Sequence, residues 1–262
     1  MTYESQAARA GRLPVVRLVG AGPGAADLIT VRGARALGEA QVVLYDDLAN
    51  AALLDLCSSE CERMYVGKRA GKHSASQEEI CRLLVEKGSS GRRVVRLKGG
   101  DPMVFGRAGE EITALVEAGL DFEIIPGVTA ASAAGAAGFI PLTQRGVTST
   151  MVFVTGHDCA DRGTPVNWRA LAALGATLCI YMGTRRFATI ADELMAGGLP
   201  PDTSVAMISG ASLSSQNVRI GTLAERDALT ADRGSAPALI IVGEVVRWSE
   251  LALASRQFAA IG

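Results

Sequence analysis

Two glycine-rich stretches are the places where a ligand could lie directly against the backbone. The first runs VGAGPGAADLIT from Val19, straight after a compact apolar run. Gly20, Gly22 and Ala25 fit G-x-G-x-x-G/A, and Asp46 follows the next apolar run, where a ribose-binding acid would sit. Taken alone, that pattern describes a nicotinamide-dependent oxidoreductase. Pro23 weighs against it by removing a backbone N–H from a loop that would have to cradle a pyrophosphate. The second stretch is KGGDP, residues 98–102, continuing to Arg107, Glu110 and Glu111. Asp101 offers a carboxylate for hydroxyls or an ammonium, and Pro102 holds Asp101 extended. Arg107 beside a helix start suits an anion. Glu110 and Glu111 in a first helical turn are also ordinary dipole partners.

The elements that must position these loops alternate. Short β-rich runs occupy residues 15–19, 41–45, 64–66, 94–97 and 122–125, then 151–155, 177–181, 205–208, 219–222 and 239–242. Between them lie helical patterns, clearest from Ser76, whose spacing to Glu79 fits a capping box, and over 108–118, 168–174 and 186–196. The alternation predicts an α/β protein of two α/β domains, each with a mostly parallel sheet flanked by helices. The joint is expected at 140–147, giving a mobile arm over 1–13 and domains over 14–143 and 144–262. Ligands in open α/β sheets sit beyond the carboxyl ends of strands, which selects the loops at 20–24, 45–48, 98–102 and 181–184 and predicts a cleft between the two domains.

Composition excludes other classes. With 26 basic against 27 acidic residues and a net charge of −1, no global field recruits nucleic acid, and an anionic substrate needs a local basic site. The uncharged stretch from Ile124 to Gln144 holds Pro126, Pro141 and many alanines, so it reads as a short buried helix rather than a membrane span. The N-terminus has no signal-peptide pattern. Cys57, Cys61, Cys81, Cys159 and Cys179 form no CxxC pair, and only His73 and His157 could join them, so buried thiols in a reducing compartment are expected and no metal site. His157 follows an apolar run, where a site or a hydrogen-bonded loop histidine would both fit.

VGAGPGAADLIT, YDDL, GKR, VVRLKGGDPMVFGRAGEE, IPGVTAASAAGAAGFIPLT, FVTGH, YMGT and PALIIVGEVV run in the order found in uroporphyrinogen-III C-methyltransferases. The chain resembles that family over roughly residues 15–250, in its free-standing form. The resemblance implies two α/β domains with S-adenosyl-L-methionine in the cleft between them, S-adenosyl-L-homocysteine as by-product, and a cytoplasmic homodimer acting on a small-molecule tetrapyrrole. By match, Pro23, Gly99, Gly100, Asp101, Val104, Thr129, Ala130, Met182, Ala211 and Ala238 would line the cofactor. Asp46, Lys68, Arg107 and Glu110 match positions treated as catalytic, and Arg69 and Arg145 would bind substrate.

The chemistry makes these residue types sensible. A sulfonium loses its charge as the methyl leaves, so carbonyls, apolar contacts and Met182 can surround it without overstabilising the ground state. Lys68, Arg69, Arg107 and Arg145 are natural anchors for a polycarboxylate. The methylated ring must lose a proton, for which Asp46 or Glu110 could be the base. A guanidinium stays protonated, so Arg107 is assigned carboxylate binding. The implied reaction is methylation of uroporphyrinogen III at C2 and C7, through precorrin-1 to precorrin-2, feeding siroheme, cobalamin or haem d1. A methyltransferase of a later corrin precursor is the nearest alternative. Asp47, Gln144 and Met103 stand where the family usually has Arg, His and Phe, and bear on substrate preference.

Overall fold

The computed structural model describes residues 15–67, 75–157, 165–231 and 236–252. The chain divides into two compact units, Met1–Thr129 and Ala130–Gly262.

The first unit carries β1 (Val16–Gly20), α1 (Val31–Gly38), β2 (Val42–Tyr45), β3 (Glu62–Tyr65), α2 (Gln77–Ser89), β4 (Val94–Lys98), α3 (Ala108–Glu117) and β5 (Phe122–Ile125). Its five strands form one sheet, in the order β3-β2-β4-β1-β5. Every pairing is parallel. The strands alternate as a two-faced sheet requires. Leu18, Val42, Leu44 and Val94 pack with Leu84 of α2 and Leu115 of α3. Val19, Val43, Val95 and Leu97 face the other way, onto Ala36 and Leu37 of α1. Thr30 caps α1 by accepting the Gly33 N–H at 3.1 Å, and Ser76 caps α2 by accepting that of Glu79 at 3.1 Å. Each such cap contributes about 1 kcal/mol.

The second unit carries α4 (Ala130–Ala137), β6 (Met151–Thr155), α5 (Trp168–Ala172), β7 (Thr177–Tyr181), α6 (Phe187–Ala196), β8 (Ser204–Ser209), β9 (Asn217–Thr222), α7 (Arg226–Thr230) and β10 (Ala238–Val242). Its sheet runs β6-β7-β10-β8-β9. Leu178, Ile180, Val205, Met207 and Ile240 meet Trp168, Phe187, Ile190 and Leu194 on one face. Cys179, Ala206, Ile208, Leu239 and Ile241 meet Ala131 and Ala134 of α4 on the other.

Two expectations are corrected. Only the β6–β7 pairing of the second sheet is parallel; β7–β10, β10–β8 and β8–β9 are antiparallel. The loop at 210–216 is too short for the crossover that a parallel neighbour needs. The division between units falls at Thr129/Ala130 rather than within 140–147. The Ala-rich helix α4 has its buried partners on the second sheet, so it goes with that unit. The expected arm over 1–13 lies outside the described residues. No helix among the described residues is long and apolar enough to cross a membrane.

Candidate active site

In the first unit, the loops after β1, β2, β4 and β5 meet at the carboxyl end of the parallel sheet. The register sets Gly20 beside Lys98 and Tyr45 beside Leu97. Beyond it the two glycine-rich loops join: Ala21 N–H donates to Lys98 O at 2.8 Å, and Gly22 and Gly100 form a further antiparallel bridge. Both glycines have left-handed φ, +80° and +67°. Asp101 ties in the loop after β5, its Oδ2 accepting Gly127 N–H at 2.9 Å and its Oδ1 accepting Met103 N–H at 2.8 Å.

That packing removes the dinucleotide reading. The amides of Ala21 and Gly22, which a pyrophosphate would require, are spent on β4 and its loop. A Cβ on Gly20 would lie 2.6 Å from Gly127 Cα and 2.7 Å from Gly100 O, so the bare glycine serves backbone approach, not a phosphate. The first long helix, α1, begins only at Val31, well past the loop.

Pro23, Gly99, Gly100, Asp101, Val104 and Thr129 all come to this sheet end and are half-buried. No lysine or arginine stands among them, which fits a cationic sulfonium. Asp101 spends one lone pair of each oxygen on loop geometry, so it shapes the loops. Gly99 is required by Leu48, whose Cβ would lie 2.5 Å from an added Cβ.

Asp46 follows β2 at the same end. Its Oδ1 accepts Leu48 N–H at 3.0 Å and its Oδ2 accepts Arg96 Nη2 at 2.8 Å. Asp47 is exposed and accepts the Tyr65 hydroxyl. Arg107 opens α3 with a left-handed φ of 54°, an uncommon conformation for a side-chain-bearing residue. It grips Glu110 through two bonds of 2.8 Å. That contact holds the Arg107 guanidinium above its ordinary value, which suits anion binding and excludes it as a base. Lys68, Arg69 and His73 lie outside the described residues.

In the second unit, Ala130, Met182, Ala211 and Ala238 gather at one end of the sheet, and the antiparallel pairing gathers them. Because β10 runs against β7 and β8, its start is level with their ends: Leu239 pairs with Tyr181, and Ala238 with Ser209. Met182 and Ala211 follow those ends. Ala130 joins them because Ala131 N–H donates to the Tyr181 hydroxyl at 3.1 Å. Met182 is left-handed, φ 54°, and 55% exposed. Arg145 sits apart, on a tight turn closed by the Gln144–Thr148 bridge, with Gly146 at φ +79°. Thr143, Arg145 and Ser149 line an open surface depression there. His157 donates its backbone N–H to Thr155 Oγ1 at 3.2 Å.

The sequence reading missed a buried charge cluster. Arg96 and Lys98, two residues apart on β4, share one face with Val94. Lys98 Nζ reaches Glu111 Oε1 at 2.8 Å, and Arg96 Nε reaches the same oxygen at 3.3 Å. Gln77 Nε2 also donates to it at 3.3 Å. Burial lowers the Lys98 ammonium below its ordinary value, against the pull of Glu111. The signal was the alternation VVRLK, which puts both cations on the face opposite Val95 and Leu97. Among the described residues no group of three or more His, Cys, Asp and Glu is arranged to hold a metal.

Residues 15–227 match the family model for tetrapyrrole (corrin/porphyrin) methylases. The chain belongs to this family. Among curated relatives, it is 49% identical over 234 residues to siroheme synthase of Baumannia cicadellinicola subsp. Homalodisca coagulata, covering 89% of this chain and 50% of that one. It is 50% identical over 231 residues to siroheme synthase 1 of Yersinia enterocolitica, covering 88% and 48%. The chain thus spans about half the length of the curated relatives it matches. Among solved methylases, the uroporphyrin-III C-methyltransferase of Thermus thermophilus complexed with S-adenyl homocysteine aligns with a TM-score of 0.76 and 40% identity, over 88% of this chain and 98% of that one. A cobalt precorrin-4 methyltransferase aligns with a TM-score of 0.79 and 29% identity, over 88% and 95%.

Proposed function

We propose that this methylase takes methyl groups from S-adenosyl-L-methionine and places them on C2 and C7 of uroporphyrinogen III, passing through precorrin-1 to precorrin-2. The observation that carries the reading is the meeting of Asp46, the Gly99-Gly100-Asp101 loop and the Arg107–Glu110 pair at one end of the first sheet. The 40% identity to a uroporphyrin-III C-methyltransferase supports the same substrate.

The cofactor supplies an already activated methyl group. Gly99, Gly100, Val104 and Thr129 in the first unit, with Ala130, Met182, Ala211 and Ala238 in the second, are the residues proposed to hold it. All are uncharged, and all but the exposed Met182 are small or half-buried, so they place no positive side chain against a sulfonium. Arg107, Arg145, Lys68 and Arg69 are proposed to bind the substrate's carboxylates. Once a ring carbon has taken the methyl, the cationic pyrrole system must lose a proton from a bridge carbon. Asp46 is the proposed acceptor: an arginine holds only one of its oxygens, the other accepting a backbone N–H, whereas Arg107 clasps both oxygens of Glu110.

A second reading, a later corrin precursor as substrate, is favoured by the TM-score of 0.79 to a cobalt precorrin-4 methyltransferase. Anaerobic incubation with S-adenosyl-L-methionine and either uroporphyrinogen III or precorrin-2 separates the two. A mass gain of two methyl groups on uroporphyrinogen III supports the first reading. Methylation of precorrin-2 alone replaces it with the second.

A further inference from the structure

Arg96 does more than neutralise a neighbour. It is 4% exposed and bonded on every side: Nη1 donates to Leu97 O at 2.9 Å and to Leu44 O at 3.5 Å, Nε to Glu111 Oε1, and Nη2 to Asp46 Oδ2 at 2.8 Å. One rigid side chain therefore ties the end of β2, the end of β4 and helix α3 to the carboxylate that follows β2. Asp46 is the outermost member, with its side chain 23% exposed, and its other oxygen is fixed by Leu48 N–H.

The placement of charge along β4 points the same way. On the face that meets α2 and α3, Val94 joins the apolar core, while Arg96 and Lys98 are charged only where the strand reaches the ligand-side loops. Burying the charged groups of Arg96, Lys98 and Glu111 costs more than burying well-packed apolar ones, so the cluster is a poor device for stability alone. Glu111 Oε2 has no hydrogen-bond partner among the described residues, although Glu111 is fully buried. Two basic side chains, Arg96 and Lys98, face two carboxyl side chains, Glu111 and Asp46, so Arg96 holds the Asp46 carboxylate without an excess of buried positive charge.

We propose that Arg96 is a positioning residue for Asp46, holding that carboxylate in one orientation at the carboxyl end of β2, with Glu111 and Lys98 holding Arg96. The proposal rests on the reading of Asp46 as the active-site carboxylate. Misplacing a reacting group by about an ångström costs on the order of 100-fold in rate.

The test is a double-mutant cycle of Arg96→Met and Asp46→Asn on the full chain, assayed with S-adenosyl-L-methionine and uroporphyrinogen III. Arg96→Met is expected to lower kcat about 100-fold while leaving the KM for S-adenosyl-L-methionine within about twofold. On the Asp46→Asn background it is expected to cost no more than about a further twofold. Arg96→Lys, which keeps the charge and replaces Arg96→Met in the cycle if that variant does not fold, is expected to recover part of the rate. Equal losses on both backgrounds, or an unchanged kcat, would overturn the proposal. If the unsubstituted protein binds S-adenosyl-L-homocysteine but makes no product, the substrate reading fails instead. A crystal structure of Arg96→Lys then decides the positioning role: a displaced Asp46 carboxylate supports it and an unmoved one refutes it.

Discussion

Gly22 and Gly100 exchange both of their backbone hydrogen bonds, Gly22 N–H to Gly100 O at 3.2 Å and Gly100 N–H to Gly22 O at 2.7 Å. The two glycine-rich loops are therefore one structure, and what deforms one deforms the other.

Gly20→Ala puts a Cβ 2.6 Å from Gly127 Cα, where only backbone can give way. The expected loss is about 1–3 kcal/mol of stability, with S-adenosyl-L-homocysteine affinity lowered about tenfold or more, the equivalent of 1.4 kcal/mol. Gly109→Ala is the control. It lies in the first turn of α3 with nothing within 4 Å of an added Cβ, and should stabilise by about 0.4–1 kcal/mol. Urea midpoints and a calorimetric titration read both. A neutral Gly20→Ala would contradict the interlocked loops.

The buried cluster predicts unequal effects of its members. Glu111→Leu leaves Lys98 buried without its carboxylate and should cost about 3–5 kcal/mol. Lys98→Met leaves Glu111 paired with Arg96 and should cost clearly less, and adding it to Glu111→Leu should recover stability. A pH dependence accompanies this. Burial places the folded Lys98 ammonium below its unfolded value of 10.5, so in the window between the two values the unfolded chain binds more protons. Unfolding free energy therefore gains a positive slope with pH from Lys98 in that window, and Lys98→Met should remove that contribution.

Arg107 joins an exposed ion pair to a left-handed backbone. Arg107→Ala should raise the KM for a polycarboxylate substrate about tenfold, the loss of one charge-assisted hydrogen bond, with the unfolding midpoint little changed because exposed pairs contribute little. Arg107→Gly relieves the backbone and should be about 1 kcal/mol more stable than Arg107→Ala, with the same KM defect. A KM unchanged in both would remove Arg107 from substrate binding.

How much of this was legible in the sequence differs by feature. Most strands among the described residues are readable because they are short apolar or β-branched runs closed by turn residues, as in VVRLKGGDP and ALIIVGE. Strand direction is not written in such runs, since an apolar strand buried on both faces looks alike in either sense. The brief link from Ser209 to Asn217 was the available sign that β9 returns antiparallel to β8. The unit boundary was hidden because the AASAAGAA of α4 carries no amphipathic period, and only its packing on Cys179 and Ile208 assigns it. Type and spacing singled out the Gly99–Asp101 loop and Asp46, the latter as a ribose-binding acid, its proposed catalytic role coming from the resemblance; both lie at the carboxyl end of the first sheet. Arg96 was missed because a strand arginine ordinarily reads as a solvated edge, and its partners Asp46 and Glu111 lie on two other elements.

The cysteines yield a separate expectation. Burial pushes the Cys57 thiol up to about 11 and that of Cys179 up to about 12. At pH 8 neither has a usable thiolate, so iodoacetamide should leave both unmodified in the native protein and label them after denaturation, as read by peptide mass mapping. Rapid native labelling of Cys179 would contradict the packing of β7.

The most direct test of the methyl-transfer account is an anaerobic reaction of the purified chain with uroporphyrinogen III and S-adenosyl-L-methionine carrying a 13C-labelled methyl group, with the product examined by carbon NMR. The account predicts two enriched methyl resonances, on C2 and C7, and an equivalent yield of S-adenosyl-L-homocysteine. Label at any other position, or no label in the tetrapyrrole while S-adenosyl-L-homocysteine still binds, would contradict it.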